Sequence, residues 1–161
     1  MPLDHPTVQR LTQLLRTLGV SGQVVALPEA APTAAAAAAQ LGCEVDAIAN
    51  SLVFDADGDP LLVLASGGHR VDVHQLTEHV GAQQVRKASA PFVREHTGMP
   101  IGGVAPVGHP TAIRTIVDVT LERYPVVWAA AGHPYTVFPT SYAELVRITG
   151  GSPAQVAAGP T

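Results

Sequence analysis

The sequence is poor in several residue types, and each shortage excludes a class of protein or site. Cys43 is the only cysteine among 161 residues, which excludes an internal disulfide, a CxxC redox motif and a cysteine-based zinc site. Lys87 is the only lysine and follows no glycine-rich stretch, so the chain has no P-loop. Aromatic residues make up 4%, and we therefore expect a core of aliphatic side chains.

Charged residues are also few. They make up 14% of the chain against 47% hydrophobic residues, a balance that excludes an intrinsically disordered protein. The formal net charge of −4 argues against binding DNA or another long nucleic acid, but it allows contact with one nucleic-acid end. No apolar run approaches the roughly 20 residues that span a bilayer, and the first ten residues lack the features of a signal peptide. We expect a cytoplasmic protein that does not contact a membrane.

The length fits one domain, which we place at 1–151, with a flexible tail at 152–161 that is rich in Pro, Gly and Ala. Apolar spacing and capping signals predict five helices, at 8–18 after Asp4 or Thr7, at 34–41 after Thr33, at 71–80, after Ser89, and between Ser141 and Gly150. Apolar runs rich in β-prone residues predict strands at 23–27, 51–56, 60–65, 84–87, 113–119, 126–131 and 135–138.

The strands and helices are arranged in a way that favours one fold class. Asp57-Gly58 between two of the apolar runs is a strong hairpin signal. Hairpins with helices between them indicate an α+β domain with a mixed sheet and flanking helices, and argue against a doubly wound parallel sheet.

The seven histidines raise the question of a metal site. His69, His74 and His79 recur every five residues, and five positions on a helix turn through about 500°, so their side chains diverge. There is also no HExxH motif. We expect surface histidines and neither a metal nor a cofactor.

The stretch from Gly102 to Gly108 is the most unusual in the chain, because consecutive glycines precede a proline. Such a loop can point several backbone N–H groups the same way and so hold a carbonyl oxygen or a phosphate. The alternative is a shaped connection between a helix and a strand.

Four polar residues at predicted strand ends are further candidates. His133 follows a strand and can lie at the mouth of a site, and Asp118 can orient a water or a ribose hydroxyl; the alternative for both is an ordinary surface position. Asn50 and Ser51 either face a cleft or only mark the start of their strand.

Six segments, taken in order, resemble the YbaK/ProX family of prolyl-tRNA editing domains. They are the alanine-rich helix at 33–42, IANSLVF at 48–54, LLVLASGGHRVD at 61–72, VRKAS at 85–89, TGMPIGGVAPVGHP at 97–110 and VWAAAGHP at 127–134. The resemblance covers about 33–150. It implies a curved mixed sheet and hydrolysis of the ester that joins a wrong small amino acid, such as Ala or Cys, to the 3′ end of a tRNA, usually that for proline.

The resemblance also implies roles for particular residues. The family's Gly-x-x-x-Pro loop corresponds to 102–106, whose backbone N–H groups would hold the substrate carbonyl, and His133 resembles a position in the aminoacyl pocket. Such an ester is labile, so positioning of water and oxyanion stabilisation suffice without a side-chain nucleophile. The catalytic candidates are Asn50, Gly102, Gly103, Val104, Ala105 and Pro106, and the substrate-binding candidates are Ser51, Arg70, Asp118, Gly132 and His133.

One position departs from the family pattern. The family motif Val-Lys-Ser-Leu reads Ala49-Asn50-Ser51-Leu52 here, and an asparagine offers hydrogen bonds without a positive charge. Arg70 or Arg86 is a possible replacement for that charge. The resemblance as a whole still leads us to expect a free-standing deacylase that acts on the CCA acceptor end, with a synthetase as a further partner.

Two alternative functions are consistent with the same sequence. The first is a module of the same fold that binds an aminoacyl or nucleotide ligand without turnover, because Asn50 replaces the lysine. The second is a metabolic hydrolase for another small acyl ester, which would act on free aminoacyl esters without tRNA.

Overall fold

A computed structural model describes residues 2–157 as one eight-stranded mixed sheet with helices on both faces. The strand order is β1-β7-β6-β2-β3-β5-β8, and β4 pairs with β2. The helices are α1 (Pro6–Thr17), α2 (Ala34–Leu41), α3 (Val73–Val80), α4 (Ala90–Thr97) and α5 (Tyr142–Thr149). The strands are β1 (Val25–Ala26), β2 (Ile48–Ala56), β3 (Asp59–Ser66), β4 (Val85–Lys87), β5 (Arg114–Asp118), β6 (Val127–Ala130), β7 (Thr136–Thr140) and β8 (Ser152–Ala154). The predicted α+β class with a mixed sheet is confirmed.

The β2–β3 hairpin forms the centre of the sheet. Its two-residue turn is Asp57-Gly58, with Asp57 at φ +53 and Gly58 at φ +94, and the Gly58 N–H donates to Asp55 Oδ1 at 2.7 Å. Both central residues therefore have the positive φ that a tight hairpin turn requires. The first strand of this hairpin carries residues that line the candidate functional site described below.

Alternation along β3 separates two cores. Leu62 and Leu64 face one side of the sheet and pack with residues of α1, α4 and α5, whereas Leu61 and Val63 face the other side and pack with Leu76 of α3. Each fully buried side chain of this size contributes about 1.5–3 kcal/mol. Both faces of the central strands are covered by helices. A candidate site therefore requires an opening in the sheet itself.

The sheet contains a gap beside β2. On that edge, β6 pairs with Ile48 and Ala49, while β4 pairs only from Phe54 onward. Within the described chain, residues 50–52 therefore have no strand partner on that side, whereas Val53 O accepts from the Ala88 N–H at 3.3 Å. Unpaired strand backbone is available for contacts with loops or ligands.

Two sequence predictions need correction. The cap of α1 is His5, whose Nδ1 accepts from the Thr7 N–H at 3.2 Å, and not Asp4 or Thr7. Residues 152–157 are not a flexible tail, because β8 pairs in parallel with β5 and Val156 is buried. The rest of the predicted tail, 158–161, lies outside the described residues.

In the part of the chain that the structure describes, no helix combines the length and the apolar character needed to cross a membrane.

Candidate functional site

A narrow cleft with a cavity volume of about 40 Å³ opens at the gap in the sheet, and we call it the first cleft. It lies between the start of α2, the first half of β2, β6 and the loop that follows α4. Its walls are small or apolar side chains, among them Ala34, Ala37, Ala129, Ala130 and Trp128. No charged side chain of the described residues lines it.

Asn50 and Ser51 supply polar side chains to the first cleft. The Asn50 amide makes no hydrogen bond to any described residue, and Ser51 Oγ is a buried polar atom without a partner in residues 2–157. A buried hydroxyl without a partner costs free energy, so a ligand or water that hydrogen-bonds Ser51 is favoured. The sequence left open whether both residues face a cleft or only mark the start of their strand, and the structure places both in the lining of this cleft.

The loop at 101–107 borders the first cleft and is held in one shape. Gly103 N–H donates to Pro100 O at 2.9 Å, which closes a turn with Gly102 at φ +90, as a type II turn requires at its third position. A Cβ at Gly103 would lie 2.9 Å from the His133 backbone, so only glycine fits. The loop therefore packs directly against the turn between β6 and β7.

The loop's N–H groups are not equivalent. Those of Gly103 and Ala105 are already donated, the second to Met99 Sδ at 3.3 Å, and Pro106 has none. Those of Gly102 and Val104 have no acceptor among residues 2–157, and both residues line the first cleft. Within 102–106, the possible backbone donors to a ligand in the first cleft are thus these two.

His109 supports this loop, and sequence reasoning missed it. Its ring is mostly buried, and because a carbonyl oxygen only accepts, Nε2–H donates to Ala105 O at 2.8 Å. Burial lowers the pKa of His109, and the positive charge of Arg10 lowers it further, against the opposing effect of the Ala105 hydrogen bond. The signal in the sequence is the Gly-His-Pro that ends the loop.

A second cleft, with a cavity volume of about 340 Å³, adjoins the first. The two share Ser51 and Val104. Arg70 and Lys87 line the second cleft, and neither forms a salt bridge within the described chain. Arg86, by contrast, is paired with Asp55 at 3.4 Å and is not among the residues that line either cleft.

Asp118 does not reach either cleft. It is fully buried, and its carboxylate accepts from Ser66 N at 2.9 Å, Thr120 N at 3.0 Å and His69 Nδ1 at 3.0 Å. These three donors offset the cost of burying the group. It therefore contacts a ligand only through His69, which lines the second cleft.

His133 and Gly132 also lie apart from the first cleft's lining. The His133 ring packs between His5 and Tyr135, with centroids 5.2 and 5.4 Å away, and burial followed by the nearby His5 lowers its pKa. Gly132, at φ +99, packs against Thr7 of α1. His133 contributes to the site through its backbone, which packs against Gly103.

Among the described residues, no three His, Cys, Asp or Glu side chains are grouped in a way that could hold a metal ion.

The fold and the cleft define a class of protein: a small α+β domain in which free backbone N–H groups and two neutral polar side chains meet in one cleft. The aminoacyl-tRNA editing domain model matches residues 28–148. The chain belongs to that family, and the resemblance to YbaK/ProX is confirmed.

Three relatives illustrate the similarity. A crystal structure whose protein carries the provisional description of a trans-editing enzyme for prolyl tRNA synthetase is 41% identical, with a TM-score of 0.89, and the match covers 96% of this chain and 98% of that one. The uncharacterized protein YwhH of Bacillus subtilis (strain 168) is 33% identical over 68% of this chain and 69% of its own length. The proline–tRNA ligase of Geobacter sp. (strain M21) is 32% identical over 53% of this chain, and the match spans 15% of the ligase.

Proposed function

We propose that the protein is a free-standing deacylase that hydrolyses the ester of a mischarged tRNA in trans. The observation that carries this proposal is the pair of free N–H groups, on Gly102 and Val104, beside a cleft that also holds Asn50 and Ser51. Donors fixed in advance where negative charge develops are the main requirement for hydrolysing an activated ester.

The proposed reaction needs no covalent enzyme intermediate. Water adds to the ester carbonyl carbon, and the Gly102 and Val104 N–H groups stabilise the oxyanion of the tetrahedral intermediate. The carbon–oxygen bond to the ribose then breaks, the ribose oxygen takes one proton of the attacking water, and the amino acid leaves as its carboxylate while the second proton passes to solvent. Asn50 and Ser51 orient the water and the ester by hydrogen bonds.

The shape of the first cleft favours a small amino acid, such as alanine or cysteine. Its cavity volume is about 40 Å³ and its walls include Ala37 and Trp128, which leave little room beyond a short side chain. Size alone discriminates only about 10- to 200-fold per methylene. Alanine or cysteine on the tRNA for proline is the substrate that the family resemblance favours, in the cytoplasm and with a synthetase as a further partner.

The test is release of labelled amino acid from tRNA for proline charged with Ala, Cys, Ser or Thr. Wild type should hydrolyse one of these rapidly. Gly102→Ala places an L side chain at φ +90, which shifts the donors, and should lower kcat by about 100-fold.

Gly81→Ala is the matched control, because Gly81 also has a positive φ, +72, with nothing within 4 Å of an added Cβ, and it lies outside both clefts. It should keep wild-type turnover. Equal activity of the Gly102 and Gly81 variants would exclude the loop from catalysis, and no hydrolysis by folded wild type would reject a deacylase acting on these substrates.

A second candidate function is binding of an aminoacyl or nucleotide ligand without turnover. The observation that favours it is the absence of any charged side chain from the first cleft's described lining, where the family pattern has a lysine at the position of Asn50. If Asn50→Lys creates hydrolysis that wild type lacks, binding without turnover is favoured. If Asn50→Ala abolishes an existing activity, the deacylase is favoured.

A further inference from the structure

Helix α1 contacts both loops that border the first cleft, although it precedes the segment that the family model matches, 28–148. Thr7 packs against Gly132 in the turn between β6 and β7, where an added Cβ would lie 3.0 Å from Thr7 Cγ2. Arg10 Nη1 donates to Gly108 O at 3.0 Å, at the end of the loop that carries the free N–H groups. Thr7 and Arg10 are three positions apart and so lie on one face of the helix. One face of α1 therefore joins two loops that are distant in sequence.

The helix is itself held in place. At its C-terminal end, Arg147 Nη1 of α5 donates to Leu18 O at 2.7 Å, and Arg147 also pairs with Glu144 at 3.5 Å. In its middle, Leu11 is fully buried in the same core cluster as Val104 of the loop. Helix α1 is therefore a fixed support against which the loop rests.

The loop with the free donors is fixed at several points along its length. Two contacts come from within the matched segment: Gly103 packs against the turn between β6 and β7, and His109 donates to Ala105 O. The hydrogen bond from Arg10 to Gly108 O fixes the end of the loop from outside that segment. An N–H group stabilises an oxyanion only at a separation of about 2.7–3.1 Å, so a small displacement of the loop weakens both donors.

We propose that α1 is a positioning element of the proposed active site, and that Arg10 is the positioning residue that aligns the loop's free N–H groups through Gly108 O. This inference rests on the proposed function, since it gives Arg10 a part in oxyanion stabilisation. Arg10 lines neither cleft and so does not touch the substrate. Its effect falls on the transition state, in which the N–H groups face a negative charge, and not on binding of the ester before reaction.

The test replaces Arg10 by Met, which keeps a long side chain but donates no hydrogen bond. Because Arg10 is exposed, the variant is expected to fold, and its urea midpoint is measured alongside. In ¹H–¹⁵N NMR spectra, the amide signals of Gly102 and Val104 should shift relative to wild type. With a mischarged tRNA that wild type hydrolyses, kcat should fall about tenfold while KM stays close to the wild-type value.

Two further variants separate positioning from a general loss of charge. Arg10→Lys retains a donor that can reach Gly108 O and should recover most of the lost kcat. Arg16→Met is the matched control, because Arg16 lies on the same helix, is exposed, and lines neither cleft. It should keep the amide signals, kcat and KM of wild type.

The outcomes separate this inference from the proposed function. Shifted Gly102 and Val104 amides with a lower kcat in Arg10→Met, recovered in Arg10→Lys and absent from Arg16→Met, support the positioning role. Unshifted amides, equal effects of Arg10→Met and Arg16→Met, or a loss of activity through KM alone overturn it. If folded wild type hydrolyses none of the mischarged tRNAs, the proposed function fails, and the amide shifts alone decide whether Arg10 aligns the loop.

Discussion

The two clefts lie side by side but are built from different chemical groups. The first is neutral, and its polar groups include two backbone N–H donors, an amide and a hydroxyl, whereas the second holds two cations and an imidazole fixed by a buried carboxylate. Neutral donors suit an ester whose negative charge appears only during reaction, and permanent cations suit a group that is always charged. Under the proposed function, the first cleft is suited to the reaction and the second to holding a charged group.

The largest expected effect concerns the buried acid behind the second cleft. Asp118→Ala leaves the N–H groups of Ser66 and Thr120 and Nδ1 of His69 without their acceptor. We expect the free energy of unfolding to fall by about 3–5 kcal/mol, measured by urea denaturation.

Glu78→Ala is the control for this change, because Glu78 pairs with His74 at the surface, where both side chains are exposed. It should leave the free energy of unfolding nearly unchanged. A similarly small loss in Asp118→Ala would mean that the second cleft does not depend on a buried charge.

A smaller effect is expected from narrowing the first cleft. Ala37 is buried on α2 and lines that cleft, so Ala37→Leu should lower kcat/KM for an alanyl ester of tRNA by about 10- to 200-fold while leaving CCA binding unchanged. Ala39→Leu, at an exposed position of the same helix, should preserve both values. A parallel loss of CCA binding in Ala37→Leu would show that the clefts are not independent.

The smallest effect concerns His109 behind the loop between the clefts. Because burial lowers the pKa of His109 in the folded protein, the unfolded chain binds more protons on this residue as the pH falls below about 6.5. Its contribution to stability is complete above that pH and is lost as the pH falls through the lowered folded pKa.

His109→Gln keeps an N–H donor for Ala105 but does not titrate. The fall in the urea midpoint between about pH 7.5 and pH 5 should be smaller in this variant than in wild type. His133→Gln should reduce the fall less, because the His133 ring is more exposed. An unchanged pH profile in His109→Gln would contradict the stated role of burial.

Local signals made much of the fold predictable. The caps Thr33, Ser89 and Ser141 each accept from the N–H three residues later, as the sequence pattern requires. Asp57-Gly58 is also a local signal, because it forms the turn that fixes the register of the central hairpin. The cap at His5 was missed because histidine seldom takes this role, although Pro6 at the first helical position was a usable signal.

Features that depend on distant contacts were not predictable. His69 and Asp118 are 49 residues apart in sequence, so no local sequence pattern could indicate that their side chains form a pair. The strand at 152–154 is formed by small residues and proline, and only pairing with β5 orders it. Asn50 and the loop at 102–106 were found through chemistry and resemblance, whereas which of the loop's N–H groups are free depends on packing around Met99 and Pro100.

The free donors of the loop have a consequence for how this protein tolerates mutation. Because they are main-chain groups, exchanging the side chain of Ile101 or Val104 leaves the N–H donors in the chain, and the residues that cannot vary are the glycines that shape the turn. The lining side chains of the first cleft are then open to change without loss of the donors. Under the proposed function, single substitutions of apolar lining residues can therefore change which aminoacyl group fits while the donors stay in place.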